Sequence, residues 1–173
     1  MAALNRYYLD DVSSRIGIKC VFISHQRKDK TVARAIADYI KNAGVDVYFD
    51  EYDSSINIYD PYSVVSAIKK GIHKSTHMLC ILSNNALESK WMPWEIGYGY
   101  DRTQLYGLTV KELAESTLPE YLQIVPILRG TKSLNEFLER VCGKPSWQML
   151  NENLYVRNSE LNHPLDNYLN WSL

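Results

Sequence analysis

The stretch IKCVFISHQRKDKTVARAIADYIKNAGVDVYFD, residues 18–50, decides the fold class of this 173-residue chain. Its first seven residues form a continuous apolar run, which is typical of a strand buried on both faces of a parallel sheet. A helix is expected next, because Asp29 can cap its start and Gly44 can end it. The apolar stripe of that helix is Val32, Ala35, Ile36, Tyr39 and Ile40. Residues 45–50 predict a second strand, so the stretch forms a strand–helix–strand unit.

The same alternation continues along the chain. A second helix is expected from Asp60 and Pro61, since an aspartate cap followed by proline is a typical helix start. The remaining predicted elements are strands at 77–83 and 122–128 and helices at 86–90 and 133–143, with a break or a new helical start at Pro93. Repeated strand–helix units with apolar strands predict an α/β fold, in which helices cover both faces of a parallel sheet.

Length and composition indicate one globular domain. The chain is 46% hydrophobic and 23% charged, which are ordinary values for a globular protein. We expect a single domain over residues 1–173, with a core at about 18–143 and a C-terminal extension at 144–173. The extension is expected to form a helix or strap that packs four side chains against the core: Leu165, Tyr168, Leu169 and Trp171.

Charge and cysteine usage limit the expected partners and compartment. A net charge of -1 with mixed signs favours neither nucleic acid nor an anionic membrane as a partner. No run approaches the roughly 20 apolar residues that span a bilayer, and the first 20 residues lack a signal-peptide pattern. Cys20, Cys80 and Cys142 are odd in number and far apart, which favours reduced, buried thiols. We therefore expect a cytoplasmic protein.

Several chemistries lack their motifs. No G-x-G-x-x-G, Walker loop or G-x-S-x-G elbow occurs, which argues against dinucleotide redox binding, P-loop phosphoryl transfer and α/β-hydrolase activity. A response-regulator receiver needs acidic residues where this chain has Ser24 and Ser83. His73 and His77 fall on different predicted elements, so no metal site is expected, and His163 is expected to be structural.

Polar residues follow the predicted strands, where parallel sheets bind ligands. These positions are 24–27, 50–53, 83–85 and 129–130. Strand ends are usually polar, so this observation is weak by itself. The basic run QRKDK at 26–30 leaves two interpretations open: a solvated loop, or a site where Arg27 and a helix N-terminus receive phosphate oxygens.

Glu95 lies in SKWMPWEIGYGY, residues 89–100, among tryptophans, tyrosines and glycines. If residues 91–98 are helical, Trp91 and Glu95 share a face, and the indole can wall one side of a pocket. Glu95 either faces solvent from a packed helix or lies in an apolar pocket where desolvation strengthens its field. Both interpretations remain open on these residues alone.

One carboxylate is sufficient for one particular glycosidic cleavage. Glycosidases usually use two, because a poor leaving group must be protonated. In NAD+ the nicotinamide is already a cationic leaving group, so a single carboxylate near the developing ribosyl cation suffices.

Four segments together resemble the TIR (Toll/interleukin-1 receptor) domain family: VFISHQRKD, VDVYFDEYDSS, MLCILSNN and SKWMPWEIGYG. The resemblance covers about residues 18–143. It implies a flavodoxin-like three-layer α/β fold. Many bacterial and plant TIR domains cleave NAD+ with the glutamate of a W-x-x-x-E segment, whose two positions are filled here by Trp91 and Glu95. NAD+ would be the substrate, with no separate cofactor.

The resemblance also implies a set of site residues. Glu95 would be catalytic, and no metal would take part. Residues 50–57 would form the BB loop, which borders the site and mediates self-association in TIR domains. Arg27 would hold the pyrophosphate and Trp91 the nicotinamide. The full expected substrate-binding set is Ser24, His25, Arg27, Asp50, Ser83 and Trp91.

The sequence departs from common TIR patterns at two places. Pro93 and Trp94 are bulkier and stiffer than usual residues inside the W-x-x-x-E segment, and SSINIYDP contains no BB-loop glycine, which weakens an animal-type adaptor role. The pattern is similar to the bacterial TIR proteins of Thoeris-type anti-phage systems. Those convert NAD+ into a cyclic ADP-ribose isomer or a related signal for a separate effector protein. The alternative is a non-catalytic TIR interaction module.

Overall fold

The computed structural model describes residues 18–50, 53, 56–111, 113, 118–152 and 163–171. Its strands are β1 (Cys20–Ser24), β2 (Asp46–Tyr48), β3 (His77–Leu82), β4 (Gln104–Thr109) and β5 (Ile127–Leu128). Its helices are α1 (Lys30–Asn42), α2 (Pro61–Lys74), α3 (Asn84–Leu87), α4 (Met92–Gly99), α5 (Thr131–Cys142) and α6 (Ser146–Asn151). Short 3-10 turns occupy Arg27–Asp29 and Glu120–Leu122. The predicted α/β fold is confirmed.

The five strands form one parallel sheet in the order β2-β1-β3-β4-β5. This is the flavodoxin-like order, and its topological switch point lies between β1 and β3. Along these two strands Ser24 is paired with Cys80. The carboxyl ends of β1 and β3 therefore lie side by side, which is where such sheets bind ligands.

Alternating side chains of the central strands build a separate core on each face of the sheet. Val21 and Ile23 point to a core shared with α1, α5 and residues 163–171. Cys20 and Phe22 point to a second core shared with α2, α3 and α4. Since successive strand residues point to opposite faces, a fully apolar strand is required when both faces are covered.

One predicted strand was wrong in its extent, and one strand was missed. Residues 122–128 are not one strand, because Glu120–Leu122 is a 3-10 turn and only Ile127–Leu128 pairs with β4. Strand β4, Gln104–Thr109, was not predicted at all. Gly107 lowers the strand propensity of this segment. A larger residue would not fit at this position, because its Cβ would lie 2.7 Å from Leu82 Cδ1. The glycine allows close packing that a local pattern does not reveal.

The helix boundaries follow the capping signals in most places. Asp60 accepts a hydrogen bond from the N–H of Tyr62 at 3.1 Å, as expected at the start of α2. Gly44 follows α1 with φ of +86°, a conformation that favours glycine. The helix predicted at 86–90 spans Asn84–Leu87 instead. Asp29 occupies the N-cap position of α1, but its side chain makes no capping hydrogen bond.

The C-terminal residues 163–171 form a strap of turns rather than a helix. Leu165 and Leu169 are buried in the core beside α1 and α5, as expected. The strap is held by backbone hydrogen bonds, including one from Thr131 N–H to Asn170 C=O at 2.8 Å. His163 is buried against Tyr39, with 5.3 Å between ring centroids, which agrees with a structural role.

Other expectations concern the cysteines, metals and membranes. Cys20 and Cys80 are buried and Cys142 is half-buried, and all three are free thiols. Among the described residues, no three His, Cys, Asp or Glu side chains cluster in a way that suits a metal ion. Of the helices in the described ranges, none has the length and apolar character to cross a membrane. The signal-peptide expectation concerns residues 1–20, of which 1–17 lie outside the described residues. Residues 153–162 and 172–173 of the C-terminal extension lie outside them as well.

Candidate active site

Glu95 lies on the inner face of the short helix α4. Pro93 falls in the first turn, so of the two predicted alternatives the new helical start is the one observed. Glu95 is 9% exposed, whereas Trp91 just before the helix is 49% exposed and Trp94 is 37% exposed. The helix therefore turns its carboxylate toward the sheet and its two tryptophans outward.

The buried carboxylate is held by a serine at the end of β1. Ser24 Oγ donates a hydrogen bond to Glu95 Oε2 at 2.5 Å, and Ser24 itself is 1% exposed. Burial raises the pKa of Glu95 to about 7; the Ser24 hydroxyl partly opposes the rise, and the negative charge of Asp50 adds to it. The pKa of the buried Cys80 thiol, paired with Ser24 across the sheet, is raised by burial and by Glu95. Glu95 is therefore poised to change charge near neutral pH.

Asp50 and His25 occupy the neighbouring edge of the same site. Asp50 follows β2 and is exposed, and its Oδ1 lies 3.7 Å from His25 Nε2. The His25 ring packs against Phe49, with 4.9 Å between centroids. Two of the expected substrate-binding residues thus lie beside Ser24 and Glu95 at the carboxyl end of the sheet.

Ser83 lies after β3 and is engaged by protein groups. Its Oγ donates to Asp29 Oδ2 and accepts from the N–H of Ala86 at 2.9 Å, where α3 begins. Asn85 Nδ2 donates to the other oxygen of Asp29 at 2.7 Å. Asp29 was expected only as a helix cap, and Asn85 was not singled out, although its place after a strand was a usable signal.

Arg27 and Trp91 lie at the surface. Arg27 is exposed in the 3-10 turn Arg27–Asp29. The Trp91 ring meets Trp94 edge-on, and Trp94 stacks on Tyr98 with 5.6 Å between centroids. Arg102 lies over the other side of this column, 4.1 Å from the Tyr98 ring centroid. The outer face of α4 is thus an aromatic column that Trp91 begins.

The segment expected to form the BB loop is only partly described, since residues 51, 52, 54 and 55 lie outside the described ranges. Beside it is an open pocket of about 180 Å³ on α2. The pocket is lined by Asp53, Ile56, Ser63, Ser66, Ala67 and Lys70. Tyr48 donates a long hydrogen bond of 3.4 Å to Asp53, which links this segment to β2. The pocket does not include Glu95.

The sequence model of the TIR domain matches residues 21–138, which include Glu95, Ser24 and every strand except the first residue of β1. The chain belongs to the TIR domain family. In this TIR protein the four segments that carried the resemblance fall on β1, β2, β3 and α4, so the implied flavodoxin-like fold is confirmed.

Two curated bacterial relatives and one solved structure are similar to it. The chain is 34% identical over 76 residues to "NAD(+) hydrolase TcpC" of Escherichia coli O6:H1, covering 43% of this chain and 24% of the relative. It is 32% identical over 100 residues to "Putative cyclic ADP-D-ribose synthase TIR2" of Cytobacillus dafuensis, covering 55% and 26%. The chain thus spans about a quarter of the length of each.

The structural comparison supports the fold alone. The TIR domain of the Toll-related receptor TRR-2 from Hydra magnipapillata has a TM-score of 0.51 at 13% identity, covering 78% of this chain and 96% of that one. At this identity the likeness extends to the arrangement of strands and helices and not to the site residues.

Proposed function

We propose that this TIR protein cleaves the bond between nicotinamide and ribose in NAD+, with Glu95 as the catalytic carboxylate. The observation that carries the proposal is the buried Glu95 carboxylate, hydrogen-bonded to Ser24 at the switch point of the sheet. A desolvated carboxylate with a pKa near 7 has a strong field for a developing cation. The names of the two curated relatives support the same chemistry.

In the proposed step the bond between ribose C1′ and the pyridinium nitrogen breaks. The electron pair stays on the nitrogen, so nicotinamide leaves as a neutral molecule without an acid. Ionised Glu95 stabilises the ribosyl oxocarbenium ion that remains. Water attack then gives ADP-ribose, whereas attack by an adenine nitrogen or a ribose hydroxyl gives a cyclic isomer. In either case one proton is released, to Glu95 or to solvent.

The other expected site residues receive different roles from their surroundings. We assign the diphosphate to exposed Arg27 in the turn after β1. We assign the nicotinamide ring to exposed Trp91, whose indole would have to turn from the outer face of α4 toward Glu95. We assign the ribose hydroxyls to exposed Asp50, and we assign His25, whose side chain is 5% exposed and lies 3.7 Å from Asp50, to holding that carboxylate. Ser24 is 1% exposed and Ser83 5% exposed, so we assign them to holding protein groups rather than to direct contact with NAD+.

The product and its biological use are the finer part of the proposal. We propose a cyclic ADP-ribose isomer or a related ADP-ribosyl signal, read by a separate effector protein in a Thoeris-type anti-phage response. The relative named as a putative cyclic ADP-D-ribose synthase supports this choice. Self-association through TIR–TIR contacts would complete the assembly. The exposed aromatic side chains of Tyr59 and Tyr62 are suitable contact groups, since large aromatics are enriched at interfaces.

The test is a mass-resolved NAD+ turnover assay over a range of protein concentrations. The native protein is compared with Glu95→Gln and with Glu88→Gln, an exposed glutamate at the end of α3 that serves as the matched control. We expect nicotinamide release to fall at least about 100-fold in Glu95→Gln and to stay within about 2-fold in Glu88→Gln. The mass of the second product, formed together with nicotinamide, distinguishes ADP-ribose from a cyclic isomer.

The alternative function, an interaction module without catalysis, makes a different prediction. It is favoured by the aromatic column on the outer face of α4, where Trp91 and Trp94 are exposed. Absence of turnover in folded native protein at every concentration, with a crowding agent present, would support the interaction module. Equal turnover in native protein and Glu95→Gln would place catalysis elsewhere.

A further inference from the structure

A second buried carboxylate, Asp29, bridges the two loops that flank the switch point. It is 8% exposed. Ser83 donates to its Oδ2, and Asn85 donates to its Oδ1 at 2.7 Å. Both oxygens are therefore engaged at the start of α3, by its N-cap Ser83 and by Asn85, and the side chain does not cap α1, the helix that it precedes.

On the β1 side, Asp29 closes the turn that carries Arg27. The N–H of Asp29 donates to the carbonyl of Gln26 at 2.8 Å. The side chain of Gln26 in turn accepts from the N–H of Lys28 at 3.0 Å. Arg27 lies inside this small hydrogen-bonded turn, so its backbone position depends on where Asp29 is held.

On the β3 side, the partners of Asp29 belong to rigid elements. Ser83 accepts from the N–H of Ala86, and its carbonyl accepts from the N–H of Leu87 at 3.1 Å. The Ser83 hydroxyl thus accepts from α3 and donates its single proton to Asp29, whose ionised carboxylate only accepts. The turn with Arg27 is thereby fixed to β3 and α3 across the mouth of the site.

We propose that Asp29 is a positioning residue of the nucleotide site, which holds the Arg27 turn where it can receive the diphosphate of NAD+. This inference rests on the proposed function. Asp29 acts through the loop and does not touch substrate. Glu95 and Ser24 form a separate pair on α4 and β1, with no hydrogen bond to Asp29. Losing Asp29 should therefore weaken substrate binding more than bond cleavage.

The first variant is Asp29→Asn, which preserves shape but provides one acceptor for two donors. The KM for NAD+ is expected to rise about tenfold, with kcat within about 2-fold. The double variant Asp29→Asn with Asn85→Asp is expected to return KM to within about 3-fold of the native value. In it the new amide accepts from Ser83 and donates to the carboxylate placed at position 85. Asp38→Asn, on the surface of α1, is the matched control and should leave KM unchanged.

A binding measurement separates this inference from the catalytic proposal. ADP-ribose, which carries the same diphosphate, is titrated calorimetrically into the native and variant proteins. If native protein binds ADP-ribose but turns over no NAD+, a tenfold loss of affinity in Asp29→Asn that the double variant restores supports Asp29 and refutes catalysis. Four outcomes would overturn the inference. Asp29→Asn could leave ADP-ribose affinity and KM unchanged, or could lower kcat alone. The double variant could fail to restore binding, or the native protein could fail to bind ADP-ribose. Should Asp29→Asn fail to fold, Asn85→Ala removes one of the two hydrogen bonds, and its KM and ADP-ribose affinity must weaken about 3-fold.

Discussion

Replacing Glu95 by glutamine is expected to stabilise the folded protein at alkaline pH, because it removes a charge that the native state buries. The pKa of Glu95 is raised from an ordinary 4.5 to about 7. Between these values the folded protein binds a proton that the unfolded chain has released, so native stability falls as pH rises from about 4.5 and levels off above about 7. At 1.36 kcal/mol per pH unit, the full loss is about 3 kcal/mol.

The assay is urea unfolding of native protein and Glu95→Gln at pH 5 and pH 8. The free energy of unfolding of the variant, minus that of the native protein, should grow by about 2–3 kcal/mol between the two pH values. Other titrating groups cancel in this difference. The exposed Glu88→Gln, measured in parallel, is the control for replacing a glutamate by glutamine at the surface. A flat difference for Glu95→Gln, within about 0.5 kcal/mol, would refute the idea that the folded state holds Glu95 at a raised pKa.

Two further predictions concern activity and packing. Native kcat/KM for NAD+ should rise with pH through a midpoint near 7, as Glu95 ionises. In Ser24→Ala the lost hydrogen bond should raise the pKa of Glu95, so the midpoint of the pH–rate profile should move to higher pH. An unmoved midpoint would contradict the assigned role of Ser24. Gly107→Ala should lower the free energy of unfolding by about 1–3 kcal/mol, measured in urea. The reason is that its Cβ would lie 2.7 Å from Leu82 Cδ1 and 2.8 Å from Ile127 Cδ1. A decrease below about 0.5 kcal/mol would mean that these flexible side chains move aside.

The first half of the sheet was predictable because its strands are apolar on both faces. Strand β3 is buried at every position, so its run of apolar residues needed no tertiary information. Strand β4 begins with the exposed Gln104 and contains Gly107, and both features lower a local strand signal. Strand β5 is two residues long and exists only because it pairs with β4. Such edge elements are fixed by their neighbours.

The site shows the same division between local and tertiary information. The motif around Glu95 indicated which residue to examine, but its burial depends on Ser24, which is 71 residues away in the chain. Asp29 satisfied the local rule for a helix cap and is used instead by Ser83 and Asn85, which lie more than 50 residues along the chain. A spacing rule identifies a residue type that suits a position; it does not identify its distant partner.

The burial of the cysteines provides a route to site-specific fluorescent labelling of the native chain. Cys20 and Cys80 are each 0% exposed, which shields them from a maleimide dye. Cys142, at the end of α5, is half-buried, and burial raises its pKa, so its labelling calls for mildly alkaline buffer. Because α5 and α4 pack on opposite faces of the sheet, a dye at Cys142 would sit away from Glu95. Energy transfer between labelled copies would then report whether they assemble when NAD+ is added, with the label placed away from the site.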